Sequence, residues 1–531
     1  MDVSQNTSNS LWSNRLAYIL AATGAAVGLG NIWKFPYIMG DNGGGAFVLV
    51  YLLCILLIGL PVMMAEVMIG KAGRKSPSNS VLTLINQVKA SKYWAITGWI
   101  GVIAGFTILS FYAVIAGWAS AYVFKAGGGD FVDKTPTQIG EIFNTFITNP
   151  MELMLWSGLI LAMTGFVVAR GIQKGLEKAV SYAMPAMCVL LLIIAGYAAV
   201  YGDFISAFKF MFQPDFSKLT ISGVLEALGH AFFTLSLASG VMMMYGAYLP
   251  KNTSILKSSI WISIVDTIVA LVAGLAIFPI VFANSMEAAA GPGLIFKTLP
   301  IAFGQMPLGT FFGTLFFIML VFAAFTSAIA LIESSVAWLV EKAEIKRWQA
   351  AIISTVVLWI LGVGTIYSFV SGSWAHFTID FIWGVEPITT SIFDSFDYLT
   401  SKVMLPIGGL LIALFVSWGL NKRLCQQVLQ MEGRLFNAWH FILRYIAPYT
   451  IIYVFLNLVN VVKFQAPSFE LSAIVYCCFI AVISVVGLKL IQRTAFMHKQ
   501  IRTSLSVFLV QFVLPFIAIS AAMLMIKLIQ F

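Results

Sequence analysis

Residues 24–36 read Gly24-Ala25-Ala26-Val27-Gly28-Leu29-Gly30-Asn31-Ile32-Trp33-Lys34-Phe35-Pro36. They lie in an apolar stretch, 15–37, that is long enough to cross a bilayer, for which about 20 residues suffice. As a membrane helix the stretch is badly written, with three glycines, an amide and a cation at or near membrane depth. Glycine weakens a helix, and a broken helix leaves N–H and C=O groups that lipid cannot satisfy. Such backbone persists only around a cavity or a ligand. Gly24 and Gly28 also have the spacing of a GxxxG contact, in which small residues merely let helices approach. A second stretch, Phe232-Phe233-Thr234-Leu235-Ser236-Leu237-Ala238-Ser239-Gly240, again sets small polar residues in mid-span. Interrupted helices in corresponding positions of two halves point to a transporter binding site at the bilayer midplane.

The rest of the chain is consistent with that reading. Of 531 residues, 60% are hydrophobic and 10% charged, against roughly 25% charged in a soluble domain. A soluble globular protein is excluded. Apolar stretches run roughly over 15–37, 46–70, 95–124, 153–169, 178–201, 226–249, 257–283, 308–340, 348–369, 402–420, 438–462 and 470–491, with a candidate thirteenth at 504–528. With residues 1–14 in the cytoplasm, 22 of the 31 Lys and Arg fall on the inner side and 8 on the outer, Lys34 standing at a helix end. The positive-inside rule supports that orientation, and the net charge of +9 reads as a topology signal rather than a nucleic-acid surface. Residues 1–14 carry no basic n-region, so no cleaved signal peptide is expected. The outer loop 125–152 has no room for a soluble domain. Cys54, Cys188, Cys425, Cys477 and Cys478 lack the spacing of a metal site or disulfide framework. No H-E-x-x-H, Gly-x-Ser-x-Gly or phosphate loop marks an enzyme, and His230, His376, His440 and His498 stand far apart.

With these motifs the chain resembles the neurotransmitter:sodium symporters, especially their bacterial amino-acid-transporting members, over about residues 9 to 460. The resemblance implies an all-α polytopic membrane protein with an inverted-repeat, 5+5, leucine-transporter-like fold of twelve transmembrane helices and a candidate thirteenth. Its first repeat would be 15–201, its second 226–420, followed by two helices in 438–491 and the extra segment 504–528. Substrate and sodium would lie between a bundle and a scaffold, in a multi-pass protein of the plasma (inner) membrane. The oligomeric state is left open.

Sodium is a hard cation that wants several oxygens, which an unwound helix and nearby hydroxyls and amides supply. The resemblance implies two ions. One would use the Ala26 carbonyl, Asn31, Thr234 and Asp266; the other Thr326 and Ser327 with carbonyls of Gly24, Val27 and Ala323. Read alone, mid-membrane Ser and Thr usually bond back to the i−4 carbonyl. Asp266 departs from relatives with Asn, and Ala270 and His230 replace a Ser and a Gln that help chloride-dependent relatives bind chloride. A carboxylate in a membrane span is costly unless paired, so Asp266 is expected to supply the fixed negative charge and make transport chloride-independent. The competing assignment for Asp266 is a protonated or structurally paired acid.

Gly28, where monoamine carriers have Asp, implies a substrate with its own carboxylate, hence an amino acid. The N–H groups of Leu29 and Gly30 at a helix N-terminus suit that carboxylate, with Tyr112, backed by Trp118, adding a hydroxyl. The remaining contacts implied are Ala25, Thr234, Ser236 and Ser327, with Ile108, Phe233, Ala238, Ser239 and Leu331 forming an uncharged, largely apolar pocket that suits a neutral aliphatic or aromatic amino acid. Outer gating falls to Lys34 and Asp397, inner gating to Trp12, Tyr248 and Glu341. The usual inner arginine is Asn9 here, which turns attention to Arg15. Gly175 and Pro185 have the spacing of a segment that unwinds in relatives, and Glu66 and Glu333 are further intramembrane acids. A proton-coupled or sodium-independent carrier of the same fold, and a non-transporting amino-acid sensor, remain as alternatives.

Overall fold

The computed structural model describes residues 11–286, 293–379 and 388–458. The stretches 470–491 and 504–528, Asn9, Cys477, Cys478 and His498 lie outside the described residues. The principal helices are α1 (Arg15–Ala26), α2 (Gly30–Asp41), α3 (Gly45–Gly73), α4 (Lys92–Gly127), α5 (Pro150–Ala169), α6 (Ile172–Tyr201), α7 (Ile221–Thr234), α8 (Val241–Ala247), α9 (Ile255–Ala283), α10 (Gly309–Ala343), α11 (Arg347–Tyr367) and α12 (Ile392–Gly419). Among the described residues, eight helices are long and apolar enough to cross a membrane, or nine if α1 and α2, bent by 50°, form one span. The segment 226–249, expected as one span, is divided into α7 and α8 around an irregular stretch at 235–240. The expected span 402–420 begins earlier, at Ile392. Outside the bundle, a helix Pro136–Ile147 opens on a Thr135/Gln138 capping box, and strands His376–Ile379 and Ile388–Ser391 pair antiparallel. These polar-flanked segments lie in loops where bilayer periodicity carries no information.

Proline shapes several helices in the same way. Wide π turns at Gly30–Lys34, Ile55–Gly59, Leu294–Thr298, Tyr398–Met404 and Ile442–Ile446 each end two residues before a proline: Pro36, Pro61, Pro300, Pro406 and Pro448. Proline donates no backbone hydrogen bond and crowds the carbonyl one turn back. The turn before it relaxes by widening, and helical continuity survives.

The core is a contiguous cluster of buried apolar side chains in which α4 packs along α10, α5 along α11 and α3 along α8. The α3–α8 contact depends on missing side chains. A Cβ on Gly70 would lie 1.8 Å from the Met243 carbonyl oxygen, and one on Gly246 2.5 Å from that of Val67. The backbones touch there, which fixes α8 and the irregular stretch leading into it.

Candidate functional site

The two interrupted segments face one another at the centre of the bundle. At the first, Val27 leaves helical geometry (φ −69°, ψ 107°) after donating to the Thr23 carbonyl. The freed groups find side-chain partners: Gly28 N donates to Asn31 Oδ1 at 3.2 Å, and Leu29 N to the Tyr112 hydroxyl at 3.4 Å. Ser327 Oγ donates to the carbonyls of Ala25 (3.2 Å) and Val27 (3.4 Å). At the second, Ser236 (φ 52°), Ala238 (φ 61°) and Gly240 (φ 77°) adopt left-handed backbone, which costs a non-glycine residue about 1–2 kcal/mol. Buried side chains hold that conformation. Glu66 Oε2 accepts from Ala238 N at 2.9 Å, Ser334 Oγ donates to the Gly240 carbonyl at 3.2 Å, and Ser236 Oγ donates across to the Ala25 carbonyl at 3.0 Å. A lipid-facing chain could not keep such backbone.

Asn31, Thr234 and Asp266, all buried, form one cluster. Asn31 Nδ2 donates to Thr234 Oγ1 and Asp266 Oδ1, each at 2.8 Å, and Thr234 Oγ1 donates to Asp266 Oδ2 at 2.8 Å. No cationic side chain pairs with Asp266 among the ion pairs of the described residues. Ala26 lines the adjoining cavity. On the other side of the first break, an ideal Cβ on Gly24 would stand 3.5 Å from Thr326 Cβ. Thr326 Oγ1 donates to the carbonyls of Phe322 (3.2 Å) and Ala323 (3.1 Å), the local back-bond usual for a mid-helix hydroxyl. Both groups of oxygens, hydroxyl, carbonyl and carboxylate, have the hard-donor chemistry that Na⁺ takes.

Between them lies a cavity of about 40 Å³ lined by Ala25, Gly28, Leu29, Gly30, Ile108, Tyr112, Phe233, Ser236, Ser239, Ser327 and Leu331, together with Leu405. Thr234 and Ala238 are buried beside it without lining it. Leu405 was not anticipated, because a leucine in an apolar run carries no distinguishing signal. Toward the Lys34 end a wider cavity of about 260 Å³ takes in Lys34, Asp41, Glu226, His230, Asp397 and Lys402. Phe233 and Leu405 belong to both walls and so partition the two spaces. Lys34 Nζ sits 4.4 Å over the Phe233 ring, while Asp397 Oδ1 accepts from Ser401 at 2.9 Å. These two expected gate residues share the cavity without an ion pair between them.

At the opposite end Trp12 packs against the end of α8. Trp12 N donates to the Tyr248 carbonyl at 3.0 Å, Trp12 Nε1 to that of Tyr245 at 3.2 Å, and the Trp12 ring meets both tyrosines edge-on. Tyr248 donates to Glu333, which forms an ion pair with Arg347. Glu341 is engaged elsewhere, accepting from Ser76 N at 2.7 Å, Ser76 Oγ at 2.6 Å and Asn79 Nδ2 at 2.7 Å. Arg15 Nε donates to Ser258 Oγ at 3.4 Å and, among the described residues, forms no ion pair with either acid. The role of Arg347 was missed, although a buried acid such as Glu333 calls for a cationic partner. Gly175 falls in a π turn, Ile172–Glu177, and Pro185 inside the continuous helix that follows. Ser13 donates to Glu177 through both its backbone N and its hydroxyl.

The sequence profile of the Sodium:neurotransmitter symporter family matches residues 9–131 and 130–501. An uncharacterised sodium-dependent transporter of Bacillus subtilis, YhdH, is 37% identical over 459 residues, 85% of this chain and 98% of its own. One from Haemophilus influenzae is 30% identical over 460 residues, with the same two coverages of 85% and 98%. Among solved structures, that of MhsT in complex with L-phenylalanine is similar, with 39% identity, a TM-score of 0.76, and coverage of 85% of this chain and 99% of that one. This chain belongs to the sodium:neurotransmitter symporter family.

Proposed function

We propose that the protein is a sodium-coupled symporter that imports a neutral amino acid by alternating access, independently of chloride. The reading rests above all on one arrangement: two broken helices present backbone groups and hydroxyls to a shared central cavity, with a carboxylate in reach that no cationic side chain among the described residues pairs with. The substrate carboxylate would meet the N–H of Leu29 and Gly30 at the positive end of α2 together with the Tyr112 hydroxyl. Its ammonium would lie on carbonyls of the 235–240 stretch and on Ser236. Sodium would take Asn31, Thr234, Asp266 and the Ala26 carbonyl in one site, and Thr326, Ser327 and the carbonyls of Gly24, Val27 and Ala323 in the other. Coupling follows from shared walls, since the same broken segment carries ligands for both ions and for the amino acid. Filling one site pre-organises the others and reduces their cost of ordering.

In this reading the Trp12 end faces the cytoplasm and is shut, and the Lys34 end faces outward. The repeats span 15–201 and 226–420. Solved MhsT, in complex with L-phenylalanine, gives a neutral amino acid as the first substrate to try. Uptake of radiolabelled neutral amino acids into proteoliposomes, with and without an inward sodium gradient, tests the proposal. Accumulation that requires sodium and survives replacement of chloride by gluconate is the expected result. Accumulation driven by a pH gradient without sodium would make the protein a proton-coupled carrier, and saturable binding without accumulation would make it a sensor.

A further inference from the structure

With Tyr112, Ser236 and Ser327 given to the carboxylate, the ammonium and sodium in the proposed reading, the side-chain wall that remains in the central cavity is apolar except at one point. Ile108, Phe233, Leu331 and Leu405 supply hydrocarbon, and Ser239 supplies a hydroxyl. Ser239 is 2% exposed, and its Oγ donates to the Ser236 carbonyl at 2.7 Å. A serine hydroxyl has one proton and two lone pairs. With its proton committed, it can offer a ligand only an acceptor. In the proposed binding mode that acceptor stands beside a carbonyl of the segment on which the substrate ammonium lies, at the root of the substrate side chain. α4 packs directly against the backbone of Ser239 and Gly240. A Cβ on Gly105 would lie 2.6 Å from the Ser239 carbonyl oxygen, and one on Gly101 2.9 Å from Gly240 N.

We infer that Ser239 makes this transporter select amino acids with a β-hydroxyl, threonine and serine, over the isosteric or smaller hydrocarbons valine and alanine. The inference rests on the proposed function and names the substrate class of that site. A valine methyl set against Ser239 Oγ leaves a buried acceptor unpaired, whereas the threonine hydroxyl donates to it. A single neutral hydrogen bond of this kind is worth about threefold to tenfold in affinity.

The test is competition by unlabelled threonine, valine, serine and alanine against sodium-driven uptake in proteoliposomes. It is run on the wild type and on Ser239→Ala and Ser239→Thr. Threonine should compete at about threefold to tenfold lower concentration than valine in the wild type. The ratio should fall to about one in Ser239→Ala, which lacks the acceptor, and persist in Ser239→Thr, which keeps it. Equal competition by threonine and valine in the wild type, or a preference that survives Ser239→Ala, overturns the inference and leaves neutral amino-acid transport standing. Failure of every neutral amino acid to compete or accumulate overturns the proposed function itself, and this inference with it. Should Ser239→Ala not fold, the wild-type ratio and its behaviour in Ser239→Thr decide.

Discussion

The Tyr248 hydroxyl donates to Glu333 Oε1 at 2.6 Å, while the other oxygen of Glu333 pairs with Arg347. Arg347 also donates through Nε to the Val168 carbonyl at 2.8 Å. The residue that follows α8 is thus tied to α10, α11 and the end of α5, and in the proposed reading the Trp12 end opens only once that tie breaks. Tyr248→Phe removes one neutral-to-charged hydrogen bond, worth about 1.5–3 kcal/mol. Hydrogen–deuterium exchange across residues 241–248 should then accelerate at least tenfold. Unchanged protection would remove Tyr248 from the closure.

Glu333 is fully buried and Arg347 three-quarters so. Glu333→Leu therefore strands a largely buried guanidinium, at a cost of about 3 kcal/mol, readable as a lowered melting temperature in detergent. Adding Arg347→Leu should recover most of the loss. A double variant no more stable than Glu333→Leu would show that the pair is not an isolated unit.

Thr326→Ala deletes a hydroxyl adjoining Gly24 while leaving the helix intact. The sodium concentration for half-maximal uptake should rise about tenfold, equivalent to about 1.4 kcal/mol. An unaltered sodium curve would sink the assignment of Thr326 as a ligand.

Asp266→Asn keeps the shape of the cluster with Asn31 and Thr234 and discards the charge. Sodium coupling should weaken, and in the Ala270→Ser background chloride should stimulate the Asp266→Asn protein severalfold. Normal, chloride-indifferent coupling in Asp266→Asn would show that the carboxylate is not the fixed counter-charge.

A Cβ on Gly28 would fall 2.5 Å from Ser327 Oγ and 2.9 Å from the Tyr112 hydroxyl. Gly28→Ala should cut amino-acid affinity by tenfold or more in equilibrium binding, because both hydroxyls must shift away from the place proposed for the carboxylate. Wild-type affinity in Gly28→Ala would place the carboxylate elsewhere.

The interruptions were legible because glycines and small polar residues at membrane depth conflict with the rule that lipid-facing backbone must bond to itself. Asn31 and Asp266 stood out for the same reason, as polar groups where polarity is costly. Leu405 did not, since nothing separates a leucine facing a cavity from one facing lipid. Glu341 was matched as an inner gate by position, but its partners, Ser76 and Asn79, come from a distant turn that only folding brings near. Thr326 illustrates a different limit: its hydroxyl makes the usual back-bond while its side chain adjoins Gly24, and neither contact could be weighed from sequence. The strands at 376–379 and 388–391 were unforeseen because their pairing is set by loop closure, on which hydropathy is silent.

The widened turns ahead of five prolines have a mechanical corollary. A rod whose hydrogen-bond ladder is complete resists bending everywhere alike, whereas one with an oversized ring at a known place yields there first and recovers without rupture. Motion between the two faces of the membrane can then be concentrated at a few joints already present in the resting molecule. In the proposed alternating-access cycle, straightening any one of them with alanine should stiffen the stroke while leaving the melting point nearly where it was.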